Sequence, residues 1–158
     1  MMNVNIIALG KLKESWFRQA CAEYQKRLSA FARVTIKEPE PEFLPPNPSP
    51  AQIEKALERE ADAIRSCIKG GSSIAMCIEG KQLSSVQLAE KIENIANTSS
   101  TVNFIVGSSF GLSESLKQSC DFRISMSPMT FPHSLARVML LEQIYRAFSI
   151  NNNGKYHK

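Results

Sequence analysis

The sequence predicts an α/β domain with a mostly parallel sheet. Short apolar, β-branched runs alternate with stretches of helical periodicity along the whole chain. Several runs close on glycines such as Gly10 and Gly107, as strand-to-helix turns commonly do. The 158 residues suit one domain over 1–158, large enough to bury a core without disulfides or metal.

Asn3-Val-Asn-Ile-Ile-Ala-Leu9 reads as the first strand. A helix over Lys13–Ser29 follows, with Trp16, Phe17, Ala20, Cys21, Tyr24 and Leu28 on its packed face. Val34-Thr-Ile36 is a short second strand. Residues 38–50 hold six of the eight prolines and three glutamates, so they read as an extended, mobile loop, either a connector or a lid over a substrate. A helix is expected from about Pro50 to Lys69, ended by Gly70-Gly71. Ser73-Ile-Ala-Met-Cys-Ile78 is the third strand, running into Glu79-Gly80-Lys81, and Ser84 or Ser85 starts a helix through about Asn97. Val102-Asn-Phe-Ile-Val106 is the fourth strand, followed by a short helix over Ser113–Ser119 and a fifth strand, Phe122-Arg-Ile-Ser125. The last helix has Thr130 as its cap and Pro132 in its first turn, and buries Leu135, Val138, Met139, Leu141, Ile144, Tyr145 and Phe148. A short tail over 151–158 closes the chain.

Composition excludes several classes. Four dispersed cysteines form no CxxC or Cys/His cluster and read as reduced packing residues, which predicts no metal and a cytoplasmic setting. No apolar run approaches membrane-spanning length, and the first residues lack the order of a signal peptide, so no membrane partner is expected. Neither a dinucleotide G-x-G-x-x-G nor a G-x-x-x-x-G-K-[ST] phosphate loop is present. The net charge of +4 is unevenly placed. Residues 1–37 carry seven Lys/Arg against two Glu, and 38–62 carry seven acids against two bases. Basic ends are compatible with a polyanion partner or with ordinary solvated helix faces.

In open parallel sheets, ligands bind beyond the carboxyl ends of the strands. Three such ends are unusual here: Met76–Lys81, Gly107–Gly111 and Met126–His133. Together they describe a backbone-rich, partly apolar pocket suited to an adenine ring, a ribose and a thioether chain. His133 and Arg137 stand one turn apart at the mouth of the last helix, a pairing a plain core helix does not need; an ordinary surface histidine at a helix N-terminus is the alternative.

The motifs resemble the RlmH family of SPOUT-class RNA methyltransferases. The likeness opens at Ile7-Ala-Leu-Gly-Lys-Leu-Lys-Glu14 and Ala22-Glu-Tyr-Gln-Lys-Arg-Leu28. It closes on Thr130-Phe-Pro-His133, Arg137-Val138, Glu142-Gln143 with Tyr145-Arg-Ala-Phe148, and Tyr156-His-Lys158. The resemblance implies a SPOUT-type domain with a C-terminal trefoil knot, acting as a homodimer with active sites at the interface. It implies S-adenosylmethionine as methyl donor and N3 of a pseudouridine in helix 69 of large-subunit rRNA as acceptor, with the ribosome as partner. By position, Met76, Gly107 and the loop Met126, Ser127, Pro128, Met129, Thr130 and Phe131 would hold the donor. His133, Arg137, Tyr156 and His157 would form the catalytic set. In one place the chain departs from the family pattern: a common Gly-Gly at the second loop is Gly107-Ser108 here.

An imide N3–H needs a base before its lone pair can attack, and histidine suits that task by intrinsic pKa. At a helix N-terminus the dipole favours neutral imidazole, the form able to accept a proton. Arg137 would stabilise charge on the ring carbonyls, hold a phosphate, or form a structural salt bridge to Glu142 or another acid. The tail Tyr156-His157-Lys158 is expected to act in trans on the partner's site, with a frayed terminus as the alternative.

Overall fold

The computed structural model describes residues 1–158. Its elements are β1 (Met2–Ala8), α1 (Ser15–Leu28), β2 (Ala32–Lys37), α2 (Pro50–Cys67), β3 (Ser72–Gln82), α3 (Ser85–Ala96), β4 (Thr101–Val106), α4 (Glu114–Ser119), β5 (Phe122–Ser125) and α5 (His133–Asn151). The five strands form one sheet in the order β2-β1-β4-β3-β5, with every pairing parallel. The expected α/β class and parallel sheet are therefore what the chain forms.

Alternation along the strands sorts the core into two layers. Val4, Ile6 and Ala8 of β1, with Val102 and Phe104 of β4, face a large cluster shared with α1, α3 and α5. Ile7, Leu9 and Ile105 point the other way, onto Ala61 and Ile64 of α2 and Leu116 of α4. Helix α5 lies between α1 and α3. Covered on both sides, it buries Leu140, Leu141, Ile144, Ala147 and Phe148 together with the polar Arg137 and Ser149. A buried Asn103 near the start of β4 accepts from Asn5 at 2.8 Å and donates to the Gly70 carbonyl at 2.9 Å, a polar latch across neighbouring strands.

Two helix starts follow from capping boxes. Ser49 and Gln52 satisfy each other's backbone N–H groups ahead of α2, and Ser84 and Gln87 do the same for α3. At α5 the expected cap is absent. Thr130 caps nothing; the helix begins at His133, with Pro132 as the boundary residue and no side chain on the first N–H groups. Two packed-face expectations are also corrected. Trp16 is 64% exposed and Leu135 is 38% exposed. At 100° per residue, Trp16 points about 140° away from Cys21, one of the two residues α1 buries, whereas Phe17 lies within about 40° of it. Leu135 falls about 120° from Leu141 by the same count.

The third strand is longer than expected. It continues to Gln82, and its register against β5 slips so that Ile124 pairs with both Met76 and Lys81, leaving the residues between them looped out. Gly80 makes the return possible: a Cβ there would lie 2.6 Å from the Ile124 carbonyl carbon and 2.7 Å from its nitrogen. Residues 38–49 form no regular element but are pinned to the body. Gly10 N–H donates to the Pro39 carbonyl at 2.9 Å, and Glu42 N–H donates to Glu60 at 3.1 Å.

Candidate active site

The sheet register gathers three of the sequence-predicted loops at one level. Met76 pairs with Val106 on one side and with Ile124 on the other. Gly107 follows Val106 directly, and Met126 lies two residues beyond Ile124. The carboxyl edge of β4, β3 and β5 thus brings Met76, Gly107 and Met126 together, although the chain separates them widely. A cavity of about 310 Å³ opens beside Met76 and Met126, lined also by Leu83, Phe104, Ile124 and Leu140 among others, with Ser84, Ser85, Ser125 and Gln143 as its polar groups; Gly107 and residues 127–131 stand outside its lining. Ser85 donates to the Gln143 carboxamide oxygen at 2.7 Å, which fixes that wall.

The loop 126–131 is poor in internal bonds. Ser125 Oγ donates to the Ser127 carbonyl at 3.0 Å, and Met129 N–H donates to Ser127 Oγ at 3.0 Å. No backbone-to-backbone bond closes on 126–131 itself. Pro128 removes one donor, and the remaining main-chain groups are open to a ligand. Soft thioethers, an aromatic floor and free backbone amides suit a purine and a sulfonium chain.

Gly107 is required by its own loop. A Cβ on it would lie 2.4 Å from the Gly111 carbonyl oxygen and 3.0 Å from Leu112. The turn closes by a bond from Gly111 N–H to the Ser108 carbonyl at 2.9 Å, with Gly111 at φ +84°. Ser108 is accommodated: its hydroxyl donates to Glu60 Oε1 at 3.0 Å.

His133, exposed, is the first residue of α5 and makes no side-chain hydrogen bond within the chain. One turn on, Arg137 is 2% exposed. Its Nη1 donates to Glu38 at 2.6 Å and its Nη2 to the Gly10 carbonyl at 2.9 Å, while its buried Nε has no partner. This guanidinium joins the start of α5 to the ends of β1 and β2.

Tyr156 and His157 fold back onto the middle of α5, against Glu142, Tyr145 and Arg146. The Tyr156 hydroxyl donates to Glu142 Oε1 at 3.1 Å, its ring meets Tyr145 edge-on at 4.7 Å, and Arg146 lies 4.6 Å above its centre. Burial, then the neighbouring Tyr24 and Glu142, push the Tyr156 phenol up to about 12, so near neutral pH it is a hydrogen-bond donor. Arg146 also donates to Glu142 through Nε at 3.0 Å and stands 3.4 Å from His157 Nδ1. The tail is therefore docked on its own helix. Along the axis, His133 and Arg146 are about 20 Å apart at 1.5 Å per residue.

Sequence reasoning named His133, Arg137, Tyr156 and His157 but passed over Glu142 and Arg146 as site residues, and Glu38 and Glu60 altogether. The first two were visible as an acid and a base one turn apart on a helix. The glutamates gave no local signal, because their partners are remote in sequence. No group of three or more His, Cys, Asp or Glu side chains gathers to hold a metal. No helix is long and apolar enough to cross a membrane.

Comparison with known proteins gives the family. A family model described as "Predicted SPOUT methyltransferase" matches residues 2–157. The ribosomal RNA large subunit methyltransferase H of Lactobacillus acidophilus is 45% identical, and that of Ruminiclostridium cellulolyticum 42% identical, each over 99% of this chain and 100% of the relative. Among solved structures, a protein described as "Probable Methyltransferase" from Bordetella pertussis Tohama I superposes with a TM-score of 0.57 at 12% identity, covering 93% of this chain and 95% of that one. That last likeness is one of fold alone. The chain belongs to the SPOUT methyltransferase family, and its full-length relatives include the ribosomal RNA large subunit methyltransferase H proteins.

Proposed function

We propose that this chain is an S-adenosylmethionine-dependent methyltransferase of large-subunit rRNA, methylating N3 of a pseudouridine in helix 69 on the assembled ribosome. The observation that carries the reading is the end-to-end match, at 42% and 45% identity, to relatives named for rRNA methylation. The pocket at Met76, Gly107 and 126–131 is the donor site, and no metal takes part. The protein works in the cytoplasm as a homodimer whose C-terminal region is knotted.

His133 accepts the imide proton from N3. The freed N3 lone pair then forms the new bond to the donor methyl, and the electron pair of the breaking carbon–sulfur bond stays on sulfur, leaving a neutral thioether. An already activated methyl needs chiefly an aligned nucleophile, so positioning supplies most of the rate. Arg137 is buried and engaged by Glu38 and Gly10, which supports the structural ion pair among the roles its sequence position left open. It anchors the turn that carries His133.

The span between His133 and the docked tail supports a composite site. One protomer supplies His133 and the donor pocket, and its partner supplies Tyr156 and His157, steadied by Arg146 and Glu142. An aromatic ring and an imidazole beside a guanidinium suit stacking on a base and contacting a phosphate. Incubating the protein with labelled S-adenosylmethionine and ribosomes lacking the modification, then mapping the labelled nucleotide, tests the reading. Label on N3 of a helix 69 pseudouridine is the expected result. Label on a ribose hydroxyl would replace it with another SPOUT activity, and ribosome binding without label would make the chain a non-catalytic factor.

A further inference from the structure

We infer that Glu60 is a positioning residue for the donor loop, holding it through Ser108 while holding the proline-rich segment through Glu42. The inference rests on the donor-site reading above. Glu60 lies on α2 and is only 4% exposed. No cation pairs with it, so its carboxylate depends on the hydrogen bonds it accepts. There are two, and they come from different segments: Ser108 Oγ–H to Oε1 at 3.0 Å, and Glu42 N–H to Oε2 at 3.1 Å.

The first of these reaches the donor loop where its shape is decided. Ser108 stands between Gly107, the first residue past the carboxyl end of β4, and the turn that Gly111 closes onto the Ser108 carbonyl. Drawing the Ser108 side chain to α2 sets the peptide between Gly107 and Ser108, and with it the backbone groups offered to a ligand. A glycine at 108 would have no side chain to reach α2.

The second bond extends the connection. Glu42 belongs to the same segment as Glu38, which holds Arg137, and Arg137 lies one turn beyond His133. Glu60 thus joins the donor loop to the segment that braces the helix start. A loop already in its binding shape costs less to order when donor arrives.

Three variants test this with S-adenosylmethionine as the probe, using calorimetry and steady-state methylation of unmodified ribosomes. Ser108→Ala removes only the loop tether. Glu60→Leu removes both tethers. Glu60→Gln keeps both, since the amide oxygen accepts from Glu42 N–H and the amide nitrogen donates to Ser108 Oγ. Ser108→Ala and Glu60→Leu should weaken donor Kd by about five- to tenfold, with kcat at saturating donor changed less than about twofold. The double variant should be no worse than Glu60→Leu, and Glu60→Gln should bind like the parent. If Glu60→Leu fails to fold, the comparison of Ser108→Ala with the parent still decides. A parent that binds donor, with Ser108→Ala binding equally well and only its Tm lowered, overturns this inference alone. A Glu60→Gln protein as impaired as Glu60→Leu also overturns it, because the amide keeps both tethers and loses only the charge. A parent that binds no donor overturns both this inference and the donor-site reading.

Discussion

Tyr156 is fastened to Glu142, its hydroxyl donating at 3.1 Å, while His133 is the first residue of the same helix. In the composite site proposed above, each tail completes the partner's site across a two-fold axis. Mixing two inactive proteins, His133→Ala with an intact tail and a chain cut after Gly154 with intact His133, should therefore restore activity. In the mixed dimer one site carries both lesions and the other neither. Re-equilibrated mixtures that stay inactive would show that each tail serves its own chain, and a fully active truncated protein would leave the tail without a role.

His133→Ala should slow methyl transfer by roughly 10²-fold or more while donor binding is largely kept. The deficit should shrink as pH rises, because the imide then ionises without help. A rate defect independent of pH would assign His133 to alignment of the base.

Arg137→Met should lower stability by about 3 kcal/mol, the low end for breaking a buried pair, because Glu38 keeps some solvent access. Chemical denaturation measures it. Glu38→Gln should cost less, since the amide still accepts from the guanidinium, and its methylation rate should stay within a few-fold of the parent. A large rate loss in Glu38→Gln with unchanged stability would move Arg137 from anchor to participant.

Gly107→Val should abolish donor binding, as should Gly107→Ala to a lesser degree. The cause is internal, since any Cβ at 107 meets the Gly111 carbonyl before it meets a ligand. Calorimetry supplies the affinity, and amide exchange across 107–112 should accelerate in both variants. Donor affinity that survives Gly107→Val would remove this loop from the site. Binding in the parent should be indifferent to chelator.

Tyr156 sits at about 12 against an ordinary 10. A neutral form stabilised by folding contributes fully below pH 10, and that contribution is lost as pH climbs through 12. The phenolate absorbance of the native protein should show one late step in that window, missing in Tyr156→Phe. A Tyr156 step near pH 10 would show that the tail is undocked in solution.

Local periodicity and short-range chemistry are legible along the chain before it folds. Val4, Ile6 and Ala8 alternate because strands do, and Ser49 with Gln52 starts a helix wherever the rest of the chain lies. Met76, Gly107 and Met126 were legible as strand ends because glycine and proline interrupt apolar runs there. What needed the tertiary structure was everything set by remote partners. Trp16 looked like core until α1 turned Cys21 inward and left the indole in solvent. The slip of β3 past Ile124 depends on a neighbour that lies far along the chain. Arg137 could be placed at a helix mouth by counting residues, but its partner Glu38 comes from a segment that composition describes only as loose. Glu60 carried no motif at all. Its meaning arises from two hydrogen bonds that exist only once α2, the proline-rich segment and the donor loop are brought together, and no periodicity along one segment encodes such a meeting.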